Sequence, residues 1–156
     1  AGTRDAAAFR DIAAAMEALN RAVVGALAAA GVPAVPVHPF SAGFRDDEGH
    51  LHLPTGQLDA MLEEGFVPVL HGDVLAHAGE GATIVSGDEL VVRLADRLVA
   101  DRVGLCSTVP GVLDQQGDVI PEITAYEDAA AALGESDATD VTGGMAAKVE
   151  ALLGLG

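Results

Sequence analysis

One lysine, one cysteine, one tyrosine and no tryptophan are found in this chain of 156 residues. Cys106 has no second cysteine to pair with, and no Cys-x-x-Cys exists. Intrachain disulfides and thiol-based metal or redox motifs are therefore excluded, and a reducing cytoplasm is expected. A Walker A loop needs Gly-Lys-Ser/Thr, but Lys148 lies between Ala147 and Val149, which removes that class. No Gly-x-Gly-x-x-Gly follows a strand, so a Rossmann dinucleotide site has no support. Basic residues are scarce as a whole, 8 against 24 acids, for a net charge of −16. Such a field repels phosphate backbones and anionic head groups, and no basic run opposes it, so neither nucleic acid nor a membrane surface is an expected partner. The uncharged apolar run over residues 22–37 is broken by Gly25, Gly31, Pro33 and Pro36, and is shorter than the roughly 20 residues a membrane span needs. Arg4, Asp5, Arg10, Asp11 and Glu17 make the first residues unlike a signal peptide.

Half of the residues are apolar, drawn mainly from 30 Ala, 18 Val and 17 Leu, enough for the core of a single domain. So many carboxylates with almost no lysine suit a salt-loaded cytoplasm, where self-repulsion is screened within about 3 Å at 1 M salt. The chain begins with Ala and stops inside an apolar pattern, so a longer parent protein is expected.

Apolar residues recur every three or four positions over residues 5–30, the period of an amphipathic helix, which Gly31 and Pro33 end. A short buried strand is expected over 34–37, and a polar loop or hairpin over 39–54. A helix capped by Thr55 should follow, closed by Gly65, and then a strand covered on both faces over 66–70. Gly79-Glu80-Gly81 reads as a hairpin turn. Ser86 with Glu89, and Thr124 with Glu127, have the spacing of capping boxes, predicting helices to about residues 100 and 133. Residues 102–107 read as a buried strand containing Cys106, and a last helix is expected from Gly143-Gly144. Helices alternating with short apolar strands predict an α/β fold with a mainly parallel sheet.

Among the five histidines, His50/His52 and His71/His77 lack a third metal ligand at a recognisable spacing, so no metal site is expected. His71 stands where a buried strand ends, the place at which open α/β sheets bind ligands. In Ser86-Gly87-Asp88 a glycine opens a helix, so free amides and the positive helix end can face an anion. Ser107-Thr108-Val109-Pro110-Gly111-Val112 follows an apolar run and would make a rim for a nucleotide; by itself it is equally a turn. In Asp140-Val141-Thr142-Gly143-Gly144-Met145, two glycines open a helix and Lys148 lies four residues after Gly144, on the same helix face. Bare amides and one compact ammonium a turn away suit a polyphosphate.

Taken in order, Pro68-Val69-Leu70-His71-Gly72-Asp73, Ser86-Gly87-Asp88-Glu89-Leu90, residues 102–112 and Asp140 through Lys148 resemble the amino acid kinase superfamily, and within it the archaeal isopentenyl phosphate kinases. The resemblance implies an open αβα sandwich and ATP-dependent phosphoryl transfer with Mg²⁺ to a small phosphate acceptor, and it is compatible with a homodimer. It assigns Asp88 and Lys148 as catalytic, Ser86 and Gly87 to the acceptor, and Ser107, Thr108, Val109, Pro110, Gly111, Val112, Gly143, Gly144 and Lys148 to the nucleotide. It divides the chain into an acceptor-side portion, 1–65, and a nucleotide-binding portion, 66–156, of one partial domain. The family's Thr-Asp-Val-Asp-Gly-Val loop has lost both Asp in residues 107–112. Its lysine-bearing and His-bearing Gly-rich segments have no counterpart in these residues, so this stretch is expected to be an internal piece, inactive by itself. Uridylate-like or acetylglutamate-like acceptors, and a non-catalytic nucleotide-binding domain, stay open at this point.

Overall fold

A computed structural model describes residues 4–106, 108–114, 116–127 and 144–155. Ser107, Gly143 and most of the helix expected from Thr124 fall outside the described residues. The chain divides into two compact units, Ala1–Leu90 and Val91–Gly156.

The first unit opens with α1, Ala6–Ala29, whose start is set by Asp5: its carboxylate accepts the N–H groups of Ala7 and Ala8 at 2.9 and 3.2 Å. The helix ends as the glycine predicts. Gly31 takes φ +83°, so its N–H reaches the carbonyl of Ala28 while that of Val32 reaches Leu27. By length and composition α1 could cross a membrane. It nevertheless carries Arg10, Asp11, Glu17 and Arg21, and it packs on β1 (Ala34–Pro36) and β5 (Asp73–His77). Its Asn20 is buried and donates to the Val69 carbonyl at 2.9 Å.

Strand β1 pairs in parallel with β4, Val67–Val69, in the register Ala34↔Val67 and Pro36↔Val69. The expectation that residues 66–70 are covered on both faces fails, because Phe66 and Val67 are 45% and 39% exposed. The described sheet has two strands, so β4 has a neighbour on one side only.

A second sheet has the order β3-β2-β5-β6. The polar stretch contains a short helix, α2 (Pro39–Ala42), and the expected hairpin of β2 (Phe44–Arg45) with β3 (Leu51–His52). Between β3 and β4 runs α3, Gly56–Glu63. Thr55 stands at its N-cap, but its side chain makes no capping bond, because its backbone is already helical (φ −106°, ψ −13°) rather than extended. Gly65, at φ +81°, ends α3 by the same pair of bonds that ends α1. β5 pairs in parallel with β2 and antiparallel with β6, Gly81–Val85, through the turn at Gly79-Glu80-Gly81. The core beneath is Leu51, Leu53, Leu75, Val85 and Leu90, with Leu70 against it. Each such side chain contributes about 1.5–3 kcal/mol on full burial.

The helix expected from Ser86 is α4, Gly87–Arg97, three residues shorter than expected. It closes with the bond pattern of α1 and α3, Val99 N–H to Asp96 and Ala100 N–H to Ala95. Here the left-handed position is held by Val99, at φ +50° and 84% exposed. A β-branched residue in that conformation costs about 1–2 kcal/mol.

In the second unit, residues 102–106 form no strand and Cys106 is exposed, contrary to the sequence reading. An apolar run becomes a strand only where an adjacent edge accepts its hydrogen bonds, and none does so among the described residues. A bridge between Leu113 and Val119 closes a tight turn in which Asp114 Oδ1 accepts the N–H groups of Gln116 and Asp118, each at 2.9 Å. Helix α5 is Gly144–Leu153, starting where the glycines predict.

Candidate functional site

The parallel register that matches Pro36 with Val69 carries one step past each strand, through Val37 and Leu70, to His38 and His71. Their rings meet. His38 Nδ1 and His71 Nε2 are 2.8 Å apart, with ring centroids at 5.2 Å. His71 Nδ1 lies 2.9 Å from the Gly72 carbonyl, which can only accept, so that nitrogen carries a proton. In the neutral pair His38 therefore donates to His71, leaving Nε2 of His38 as the bare lone pair. Sequence reading singled out His71 and missed His38. Both follow a Pro-containing apolar run, Pro36-Val37 and Pro68-Val69-Leu70, but their pairing lies in strand register.

The next residues bring two chain segments into backbone contact. A Cβ on Gly72 would stand 3.1 Å from the Gly87 nitrogen and 3.2 Å from the Val85 carbonyl oxygen, so only glycine lets the turn after β4 lie on the turn after β6. Asp73, 3% exposed, accepts the Phe40 N–H at 3.1 Å and that of Val74 at 2.8 Å, which fastens the first turn of α2 to β5. The Ser86 hydroxyl accepts the Glu89 N–H at 3.1 Å, one half of the predicted capping box. The Glu89 carboxylate is turned away, to Arg45 on β2, at 2.8 and 2.6 Å. Arg45 was not singled out by sequence, because a residue 44 positions away leaves no local signal. Ser86, Gly87 and Asp88 thus stand together at the start of α4, above Gly72, with Asp88 half-buried in the first turn.

The second unit holds the remaining candidates. Thr108, Val109 and Pro110 are exposed and Gly111 and Val112 half-buried, with Gly111 packed on Val119. Gly144 is the first residue of α5 and Lys148 is half-buried one turn later. Ser107 and Gly143 are outside the described residues.

His50 and His52 are exposed, at 69% and 50% of their side chains, and His52 is paired. His52 Nε2 lies 2.7 Å from Asp46 Oδ2 and its ring stacks on Phe44 at 4.6 Å. No group of three His, Cys, Asp or Glu able to hold a metal occurs among the described residues. The bond from His52 holds the Asp46 carboxyl down from 3.8 to about 2, against a smaller upward push from burial and with help from the His50 N–H. A carboxylate depressed in the fold adds stability above its unfolded value and loses it as pH falls through the folded one. Asp46→Asn is thus expected to lower the melting temperature at neutral pH, and the difference from wild type should vanish as pH falls from 3.8 towards about 2. A difference that persists at the acid end, or a carboxyl midpoint of 3.8 by carbon-detected NMR, would contradict the pairing.

The model of the family described as "Amino acid kinase family" matches residues 2–155. The chain belongs to that family. Within amino acid kinases it is similar to the isopentenyl phosphate kinase of Haloferax volcanii, at 68% identity over 99% of this chain and 62% of the relative. The isopentenyl phosphate kinase of Methanocaldococcus jannaschii is 33% identical over 91% of this chain and 54% of that protein. A solved isopentenyl phosphate kinase structure superposes with a TM-score of 0.58 at 36% identity, covering 62% of this chain and 39% of that one. The chain therefore spans between half and two thirds of the curated relatives named here. The α/β class expected from sequence agrees with that of these amino acid kinases, but the described sheets are mixed rather than mainly parallel: β1 with β4 and β2 with β5 are parallel, β2 with β3 and β5 with β6 antiparallel, because hairpins join the latter two pairs.

Proposed function

We propose that the full-length protein transfers the γ-phosphoryl group of ATP to isopentenyl phosphate, giving isopentenyl diphosphate. The observation that carries this reading is the 68% identity with the Haloferax volcanii enzyme across nearly all of the chain. Two local features support the chemistry: a helix start at Ser86-Gly87 with Asp88 in its first turn, and in the other unit a helix bearing the sole lysine.

In this reading an acceptor phosphate oxygen attacks the γ-phosphorus, the bond to the β-bridging oxygen breaks, and ADP leaves. Little covalent work falls to the protein, so its residues act by position and charge. Ser86 and Gly87 present the positive end of α4 to the acceptor, and Asp88 orients the charged groups around the phosphoryl. Residues 107–112 carry the nucleotide, with Gly143 and Gly144 at its phosphates and Lys148 neutralising charge on the transferring group. Magnesium arrives with ATP as substrate and neutralises phosphate charge. When bound with ATP it would use phosphate oxygens and water with one or two carboxylates, and Asp88 is the carboxylate of the proposed site that could serve. A cytoplasmic location follows from the same reading, and a homodimer is its expected assembly.

The test is ADP release by the full-length protein in molar KCl, with Mg-ATP and isopentenyl phosphate, uridylate or N-acetylglutamate offered separately. Turnover confined to isopentenyl phosphate is the expected result. Preference for either other acceptor would reassign the substrate, and ATP binding without any turnover would replace the kinase by a nucleotide-binding domain.

A further inference from the structure

The Arg45 guanidinium ties together three parts of the first unit and the start of α4. From β2 its Nη2 donates to both Glu89 oxygens, at 2.8 and 2.6 Å, and lies 3.5 Å from the Ile84 carbonyl; its Nη1 donates to the Gly49 carbonyl at 3.1 Å. Its side chain is 14% exposed, against 75% for Arg10 in the surface pair with Asp11. The Glu89 side chain is 39% exposed, so the pair is withdrawn from water on the Arg45 side only and is screened less than a fully exposed one.

What Arg45 holds is the residue next to Asp88. Two consecutive carboxylates, Asp88 and Glu89, occupy the first turn of α4. In a complete capping box the Glu89 carboxylate would fold back to the Ser86 N–H, at the helix start where an anionic acceptor has to approach. The ion pair with Arg45 turns that carboxylate toward β2 and cancels its charge. The turn itself lies against Gly72 at the Gly87 nitrogen, and Arg45 sets where the Glu89 charge lies.

We propose that Arg45 is a positioning residue for phosphoryl transfer: by holding the Glu89 carboxylate toward β2 it keeps a negative charge away from the approach of the acceptor. This rests on the kinase reading above. The two are separable, because wild-type turnover of isopentenyl phosphate tests that reading before any variant is compared.

In the full-length protein, Arg45→Met is expected to lower kcat by roughly 10- to 100-fold, the scale of a like charge brought against an anionic ligand. Glu89→Gln alone should stay near wild type. The double variant R45M/E89Q should recover most of the loss, since no charge is left to sequester. A merely structural arginine would instead lower the melting temperature with kcat intact, or lose kcat in a way that E89Q does not relieve; either result overturns the proposal. Should R45M fail to fold, Arg45→Lys replaces it. A single ammonium cannot grip two carboxylate oxygens and the Gly49 carbonyl together, so a kcat loss of about 3- to 10-fold is expected. Wild-type kcat in R45K would overturn the assignment.

Discussion

Changing Lys148 to Ala in the full-length protein is expected to lower kcat by roughly 10²–10³, as the loss of one preorganised transition-state contact does elsewhere. Lys148 lies one turn into α5, four residues from the glycine that opens it, on the face that glycine shares. An ammonium there meets phosphate oxygens as a point charge, and its attraction grows as charge spreads over the transferring group. Since that interaction strengthens in the transition state, kcat should fall more than KM for ATP rises. Arg is not an equivalent replacement, because its planar fork has a different reach and donor geometry, so Lys148→Arg should also be impaired. Steady-state kinetics with the melting temperature of each variant check the point. Wild-type kcat in K148A would remove the lysine from the chemistry and, with it, the strongest motif in the sequence.

Lowering KCl from molar to dilute is expected to unfold the protein or to drop its melting temperature steeply. The net charge of −16 amounts to one uncompensated negative charge for about every ten residues. Screening extends over about 3 Å at 1 M salt but about 10 Å at 0.1 M, so neighbouring carboxylates that ignore one another in brine repel in dilute buffer. Losing about 5 kcal/mol, the lower end of ordinary domain stability, corresponds to roughly 10–20 °C in melting temperature. A thermal scan across a KCl series measures this directly. A melting temperature indifferent to KCl would show that the acidic surface is not an adaptation to salt.

Local rules were legible in the residues alone. Asp5 starting α1, Gly31 and Gly65 ending helices, and the turn at Gly79-Glu80-Gly81 each depend on a few neighbouring residues, so sequence suffices to place them. The first half of the capping box at Ser86 was also readable, since its bond spans three residues. So was the ordered set of motifs that resembles the amino acid kinases, which the family match over residues 2–155 bears out.

Tertiary structure decided what depends on partners distant in the chain. Residues 102–106 have the apolar pattern of a strand and are not one, because a strand exists only beside an edge that completes its hydrogen bonds. His38 reaches His71 through strand register, 33 residues away, and Arg45 takes the Glu89 carboxylate from across 44. Gly72 was readable as a small residue in a turn, but the need for it comes from the Gly87 nitrogen that a Cβ would meet. Periodicity and capping are short-range and leave their record in adjacent letters. Hydrogen bonds and charges that close between segments are set by packing, which selects one geometry among the many the same letters allow.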